Sequence, residues 1–169
     1  MASVPAAEPE PPGPGAVPVE VNDDWYAAFV ADTYPRLARA LVAAFGVERG
    51  QEAVAEAFAW GWEHRNELRV MANPLGYLYR VGQSRSRPRK RPSFPVPDAS
   101  VLPWVEPGLP AALGELTEQQ RVCLVLAHAY GWTHREVADL LELRPSSVQN
   151  HIERGLAKLR LALGVATDA

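Results

Sequence analysis

The chain has 169 residues and a formal net charge of −3, and with 47% hydrophobic against 22% charged residues it has the composition of a globular protein. Its apolar stretches fall short of the roughly 20 residues that a membrane-spanning helix needs, so membrane insertion is not expected. A single cysteine, Cys123, excludes an internal disulfide and is typical of proteins in the reducing cytoplasm.

The chain opens with a segment rich in proline and alanine, MASVPAAEPEPPGPGAVPVE. Such a segment cannot bury enough apolar surface to fold, so we predict a disordered tail over residues 1–20. It also lacks the basic start and apolar core of a signal peptide, and a cytoplasmic location is expected.

A first helical domain is predicted over residues 21–87. In DDWYAAFVADTYPRLARALVAAF the apolar residues have helical spacing, with a kink or break expected at Pro35. RGQEAVAEAFAWGW repeats apolar residues every four positions up to Trp62, a stripe expected to face the core. After the predicted loop EHRNELRVMA, a third helix begins with Asn73 as N-cap and Pro74 in its first position.

The middle of the chain combines a basic run with a proline-rich stretch. Residues 64–91 carry eight basic and one acidic side chains, which the overall charge conceals. A concentrated basic segment favours contact with a polyanion such as nucleic acid, and the alternative is a solvated hinge that keeps two domains soluble. The prolines of residues 88–110 disfavour helix and central strand, so we interpret this stretch as a semi-extended linker.

A second helical domain is predicted over residues 111–164, followed by a short C-terminal tail over 165–169. Two capping boxes, TEQQ from Thr117 and THRE from Thr133, each predict the start of a helix, and Gly131 is a natural end for the first of them. A last helix begins at Pro145. No strand pattern occurs in the sequence, so the predicted fold class is all-α.

The last two predicted helices are separated by a very short turn, the arrangement that presents a recognition helix to the major groove of DNA. Measured from the apolar stripe of the last helix, the opposite face carries Ser147, Asn150, Arg154 and Lys158, with His151 at its edge. Asn suits adenine, Arg suits guanine, and Ser and Lys suit phosphates. The alternative is an ordinary helical hairpin with a solvated polar face.

Catalysis finds little support in the sequence. The four histidines show no metal-ligand spacing such as HExxH, paired cysteines are absent, and so is a glycine-rich phosphate loop. Cys123 lies in an apolar stripe and is expected to be a small core residue. We therefore expect no enzymatic activity, no cofactor, no metal and no small-molecule substrate.

Over about residues 24–164 the chain resembles bacterial RNA polymerase sigma factors of the extracytoplasmic-function (ECF) class. LGELTEQQRVCLVLAHAYGWTHREVADLLELRPSSVQNHIERGLAKLR is similar to region four of such factors, and YPRLARAL, EAVAEAFAWGW and NPLGYLYRV follow the order of region two. The resemblance implies two small helical domains that bind core RNA polymerase and promoter DNA, and an anti-sigma protein as a further partner. It implies a role in promoter-specific transcription initiation.

The resemblance also implies three groups of contact residues. The polymerase-binding group, on the second helix, is Glu52, Glu56 and Trp60. The group for the minus-ten element and the basic run is Arg65, Arg69, Asn73, Tyr77, Arg80, Arg85, Arg87, Arg89, Lys90 and Arg91. The group for the minus-thirty-five element, on the recognition helix, is Arg144, Ser146, Ser147, Gln149, Asn150, His151, Arg154 and Lys158.

The sequence departs from the family pattern at several positions. Arg49 stands where an Asp is usual, Ser84 and Pro88 stand where the third helix normally continues, and Gln149 and His151 stand where Lys and Arg are frequent. Two alternatives therefore remain. One is a stand-alone helix-turn-helix regulator. The other is a degenerate sigma-like protein that binds polymerase or a regulator without melting promoters.

Overall fold

The structure is a computed structural model that describes residues 24–86, 92–96 and 106–165. These residues form eight α-helices and no strand, which confirms the all-α prediction. None of these helices is both long and apolar enough to cross a bilayer. The predicted N-terminal tail and most of the linker lie outside the described residues. The helices are α1 (Asp24–Phe45), α2 (Val47–Glu63), α3 (Arg65–Val70), α4 (Pro74–Arg85), α5 (Leu109–Gly114), α6 (Glu118–His128), α7 (His134–Leu141) and α8 (Pro145–Ala162).

Helix α1 corrects the expectation at Pro35, because the helix continues through the proline without a break. A proline inside a helix costs about 3 kcal/mol. Leu37 and Leu41, which follow it, are completely buried. Burial of a leucine side chain is worth about 1.5–3 kcal/mol, so the two together outweigh the cost of the proline.

The predicted loop before the third helix of the first domain contains the short helix α3, so the loop prediction is wrong there. Leu68 is its one buried residue and holds it against the core. One buried position gives no periodicity, which is why the pattern did not reveal the helix. Helix α5 similarly begins at Leu109, inside the stretch interpreted as linker.

The local signals of the second domain are confirmed. Thr117 and Thr133 each accept a hydrogen bond from the backbone N–H three residues later, and both capping boxes are complete. Gly131 has a φ of 68°, in the left-handed region that favours glycine. This bend lets the N–H of Trp132 close onto the carbonyl of Leu126 at 3.0 Å.

The two predicted domains share one core, although the sequence suggested modules joined only by a linker. Helix α1 packs against α2 and α4 and also against α6, and α4 packs against α7. Cys123 is buried in this core, as predicted, and burial raises the pKa of its thiol to about 12. A smaller cluster joins α5, α6 and α8 around Leu124 and Leu159. The buried side chains of the shared core include Leu37, Leu41, Leu78, Val122, Leu126, Val137 and Val148.

Candidate nucleic-acid interface

Helices α7 and α8 form the predicted helix-turn-helix pair. The turn between them is residues 142–144, of the length found in DNA-binding pairs. Glu142 adopts a left-handed backbone with a φ of 54°, and the N–H of Leu143 bonds to the carbonyl of Ala138 at 2.9 Å. Pro145 then occupies the first turn of α8, where its missing N–H costs nothing. The angle between the two helices is therefore fixed by local bonds.

The predicted minus-thirty-five group shares one side of α8. Val148 and Ile152 are buried on the opposite side, against α6 and α7. Ser147 and His151 are half-buried at the margins of the exposed face. The structure thus brings the group together along a single surface. Its exposed members are Arg144, Ser146, Gln149, Asn150, Arg154 and Lys158.

Glu153 lies among these residues, and reasoning from the sequence missed it. It is exposed, and the Nε2 of Gln149 donates a hydrogen bond to its Oε1 at 2.9 Å, one turn away. The bond fixes the carboxylate on the helix surface and leaves its second oxygen as an acceptor. The signal available in the sequence was the i, i+4 pair of Gln and Glu on an exposed stripe.

A stack of aromatic side chains lies between α2 and α4. The ring of His64 is stacked on Trp60 with the centroids 4.1 Å apart, and its Nδ1 lies 3.0 Å from the carbonyl oxygen of Trp60. Tyr77 lies on Trp60 with a centroid distance of 5.1 Å, and the guanidinium of Arg80 is 5.5 Å from the Tyr77 ring. Trp60, assigned by resemblance to polymerase binding, therefore contacts Tyr77 of the predicted minus-ten group.

Two further arginines of the minus-ten group lie over tryptophan rings. The guanidinium of Arg65 is 4.4 Å from the ring of Trp62 and donates to the Trp62 carbonyl at 3.0 Å, and Arg69 lies 5.7 Å from the ring of Trp25. Trp62 is 43% exposed, so the prediction that it faces the core is wrong. Its ring meets Tyr26 edge-on at 5.5 Å and carries Arg65 over its face. These contacts hold two cations in place at the surface.

The helix-turn-helix unit contacts part of the minus-ten group. Asn73 caps α4 as predicted, because its Oδ1 accepts the N–H of Gly76 at 3.0 Å. The Nδ2 of the same side chain donates to the carbonyl of Asp139 in α7 at 2.6 Å. Arg80 pairs with Glu142 of the turn, with its Nη1 3.0 Å from the carboxylate.

The remaining predicted contact residues lie away from these surfaces or outside the described residues. Glu52 and Glu56 are exposed on α2, one turn apart, with Ala53 and Ala57 buried beside them. Arg85 is exposed at the end of α4. The other members of the basic run lie outside the described residues: Arg87, Arg89, Lys90 and Arg91.

A cleft of about 560 Å³ lies at the start of α2, between Phe45, Arg49 and the prolines of residues 92–96. Arg49, one of the departures from the family pattern, therefore lies beside the linker segment. No group of three or more His, Cys, Asp or Glu that could hold a metal ion occurs within the described part of the chain.

Comparisons with known proteins agree with this arrangement. Residues 108–159 match the family described as Sigma-70, region 4. The chain is 35% identical over 75 residues to the ECF RNA polymerase sigma factor SigK of Mycolicibacterium vanbaalenii, a match that covers 44% of this chain and 38% of that relative.

A solved structure, that of the sigma factor RpoE in complex with the anti-sigma factor NepR from Bartonella quintana, is similar in fold. The TM-score is 0.60 at 16% identity, and the likeness covers 86% of this chain and 99% of that one. At this identity the likeness shows the fold alone. Together the three findings confirm the resemblance to ECF sigma factors.

Proposed function

We propose that this chain is an ECF-type sigma factor that binds core RNA polymerase and directs promoter-specific, DNA-templated transcription initiation. The observation that carries the proposal is the helix-turn-helix pair, whose exposed face presents Asn150 and Arg154 within the stretch that matches sigma region 4. The role is regulatory rather than enzymatic, and its place is the cytoplasm, where the polymerase works.

Duplex recognition is assigned to α8. An α-helix fits the major groove, and the turn between α7 and α8 holds α8 in one orientation. Asn150 presents both a donor and an acceptor, the pattern that pairs with adenine, and Arg154 presents the donors that pair with guanine. Lys158 and Arg144 at the two ends of the face would bind phosphates.

Unpaired bases of the minus-ten element are assigned to the aromatic stack between α2 and α4. Stacking of a base on an aromatic ring is worth about 1–3 kcal/mol and tolerates any sequence. Tyr77 presents an aromatic ring beside the guanidinium of Arg80. The ring would bind the face of one base and the guanidinium would bind one phosphate. Trp60 and His64 form the base of this stack.

Two protein partners follow from the proposal. Core RNA polymerase is assigned to the exposed carboxylates of α2, Glu52 and Glu56. An anti-sigma protein is the second, because the sigma factor of similar fold forms a complex with one. The chain matches the SigK relative over 38% of that relative's length, so both partners are part of the proposal.

The first test is gel filtration of the purified chain with sigma-free core RNA polymerase. We expect a stable one-to-one complex, weakened by Glu52→Arg and unaffected by Glu106→Arg, an exposed carboxylate that precedes α5. Duplex binding without any polymerase complex would indicate a stand-alone regulator. A complex that gives no permanganate-reactive thymines on promoter DNA would indicate a degenerate sigma-like protein.

A further inference from the structure

Two arginine–tryptophan pairs lie side by side at the end of the first domain where α1 begins. The guanidinium of Arg65 is 4.4 Å from the ring of Trp62. That of Arg69 is 5.7 Å from the ring of Trp25. The rings of Trp25 and Trp62 both meet the ring of Tyr26, at 5.6 and 5.5 Å, so the four residues form one arginine–tryptophan surface. It is built from the start of α1, the end of α2 and the short helix α3.

This surface combines exposed apolar groups with cations held in place. Trp62 is 43% exposed, and Val70, which follows Arg69 at the end of α3, is 84% exposed. A guanidinium stacked on an aromatic ring is held by its face, and its N–H groups point outward from its rim, where a carboxylate can accept two of them. Large apolar side chains beside such cations fit a partner that is both apolar and acidic.

The segment that leads directly into this surface is residues 1–23, which precede the described part of the chain. Consecutive Cα atoms are 3.8 Å apart, so the Cα of Asp23 lies within about 8 Å of that of Trp25. Four residues of extended chain span about 13 Å, which brings the carboxylate of Glu20 within reach of the same surface. The connection of the chain therefore delivers this segment to the arginine–tryptophan surface.

The composition of residues 1–23 matches the surface in two ways. The segment contains six prolines, four carboxylates and no lysine, arginine or histidine. Proline-rich segments bind to exposed aromatic rings, as in the aromatic-lined grooves of domains that recognise them. Carboxylates accept paired hydrogen bonds from guanidinium groups. The four carboxylates are those of Glu8, Glu10, Glu20 and Asp23.

The elements of the surface also carry three exposed carboxylates of their own: Asp24, Glu63 and Glu67. Glu67 is two residues from Arg65 and two from Arg69, and residues two apart do not face each other on a helix. The attraction for an acidic segment is therefore local to the two stacked guanidinium groups and does not come from the net charge of these elements. Salt should weaken it, since both arginines lie at the surface.

We propose that residues 1–23 bind the arginine–tryptophan surface of their own chain and compete there with single-stranded promoter DNA. Prolines and valines of the segment cover Trp62 and Val70, and its carboxylates pair with Arg65 and Arg69. Both arginines belong to the predicted minus-ten group, so the competition rests on the proposed function. The contact itself needs neither DNA nor polymerase. A weak contact suffices, because the covalent connection gives the segment a high effective concentration at the surface.

The contact is tested in the full chain by paramagnetic relaxation in NMR spectra. A nitroxide is attached to a Ser3→Cys variant, and Cys123 takes no label because it is buried. We expect attenuation of the amide signals of residues 65–70 and of the indole signal of Trp62, with the signals of α8 unchanged. Neutralising all four carboxylates of the segment should abolish most of this attenuation. The substitutions are Glu8→Gln, Glu10→Gln, Glu20→Gln and Asp23→Asn.

Equal attenuation by the charged and the neutral segment would overturn the contact. A mixture of nitroxide-labelled chain and isotopically enriched, unlabelled chain is the second control. Attenuation in this mixture would place the segment on a second copy and would overturn the intramolecular contact.

The competition is tested by fluorescence anisotropy with a labelled oligothymidylate, since stacking of bases on aromatic rings tolerates any sequence. The neutral segment should raise affinity about threefold to tenfold, because exposed ion pairs to two arginines are individually weak. Loss of negative charge alone would also raise affinity, so the comparison is repeated in two backgrounds. The gain should vanish in Arg65→Gln, Arg69→Gln and persist in Arg39→Gln. Arg39 is the matched control, because it is exposed and its guanidinium lies 4.9 Å from the ring of Tyr130.

A gain of equal size in all backgrounds would show that the segment acts only through its net charge, and it would overturn the competition. Failure of the neutral-segment chain to bind the oligonucleotide at all would overturn the assignment of the minus-ten group, and the competition with it. The relaxation experiment contains no nucleic acid, so it decides the contact whatever the fate of the proposed function.

Discussion

Asn150 and Arg154 lie one turn apart on the exposed face of α8, beside the hydrogen-bonded pair of Gln149 and Glu153. If they read base edges, Asn150→Ala or Arg154→Ala should each cost about 1–3 kcal/mol at one position of a duplex that the chain selects from a random library, and little elsewhere. Titration against single-base variants of that duplex measures the effect. Arg160→Ala, which removes an exposed cation from the same helix, is the matched control.

An equal loss on every duplex would contradict this prediction, because phosphate contacts weaken binding uniformly. In that case the slope of log affinity against log salt concentration would also fall in magnitude by about one for each lost contact. The two kinds of contact can therefore be separated by the same titrations repeated at several salt concentrations.

Glu153 leads to a prediction with two opposite effects. A carboxylate on a DNA-facing surface repels phosphates, and it is useful there only as an acceptor, for example for the amino group of cytosine. Glu153→Gln should therefore raise affinity for unrelated duplexes and reduce discrimination at one position. Glu52→Gln, which removes the same charge from α2, should change neither quantity, and an unchanged sequence preference in Glu153→Gln would show that Glu153 reads no base.

The sequence identified the exposed face of α8 because the apolar stripe from Val148 onward is regular. It did not identify Glu153, since the family resemblance directs attention to cations and amides. It also misplaced Trp62, because α2 has a helical stripe whose last member extends past the core to the surface. A pattern gives the phase of a helix and does not show where the neighbouring helices end.

At the scale of elements, α7 depends on its capping box. Glu136 accepts hydrogen bonds from the backbone N–H and the hydroxyl of Thr133, both at 2.9 Å, and these bonds, with Arg36 nearby, lower the pKa of its carboxyl from the ordinary value of 4.5. A lowered pKa in the folded state means that the ionised form stabilises the fold. That stabilisation is present above the ordinary pKa and is lost as the pH falls through the folded value.

We therefore expect the free energy of unfolding to fall with pH below about 4.5 more steeply in the native chain than in Glu136→Gln. Urea titrations between pH 5 and pH 3 measure both slopes. Glu67→Gln, an exposed carboxylate in α3, is the control and should leave the slope as it is in the native chain. Identical slopes for the native chain and Glu136→Gln would contradict the role of the cap.

The same element shows why parts of the fold were predictable. Capping boxes are local, so TEQQ and THRE located the starts of α6 and α7 correctly. Helix α3 and the continuity of α1 depend on partners distant in sequence. Leu68 and Leu37 are buried by packing against neighbouring helices, and no local pattern shows that.

For the whole molecule, the contact between the domains was the least predictable feature. Arg121 looks like an ordinary charged residue near the start of a helix, because nothing in its sequence neighbourhood shows that its partners are carbonyls of α1. The proline-rich stretch indicated a connection between two domains, but not that α5 begins inside it or that the domains would pack together. The difference in net charge between segments of the chain likewise does not show how close the two domains lie.

The shared core makes the two domains one cooperative unit in the free chain. Leu41 of α1 is completely buried in the cluster that also contains Val122 and Val137 of the second domain. Leu41→Ala should therefore lower the free energy of unfolding by about 2–5 kcal/mol, seen equally in α1–α4 and in α6–α8. Leu161→Ala, at a position 85% exposed on α8, should change it by less than about 0.5 kcal/mol.

Hydrogen exchange followed by mass spectrometry during a urea titration reports on each helix separately. Coincident transitions of α1 and α8, shifted together by Leu41→Ala, are expected from a single core. A transition of α8 that stays in place while that of α1 shifts would show that the helix-turn-helix domain is stable by itself. Such a domain would fold without its contacts with α1 and α4.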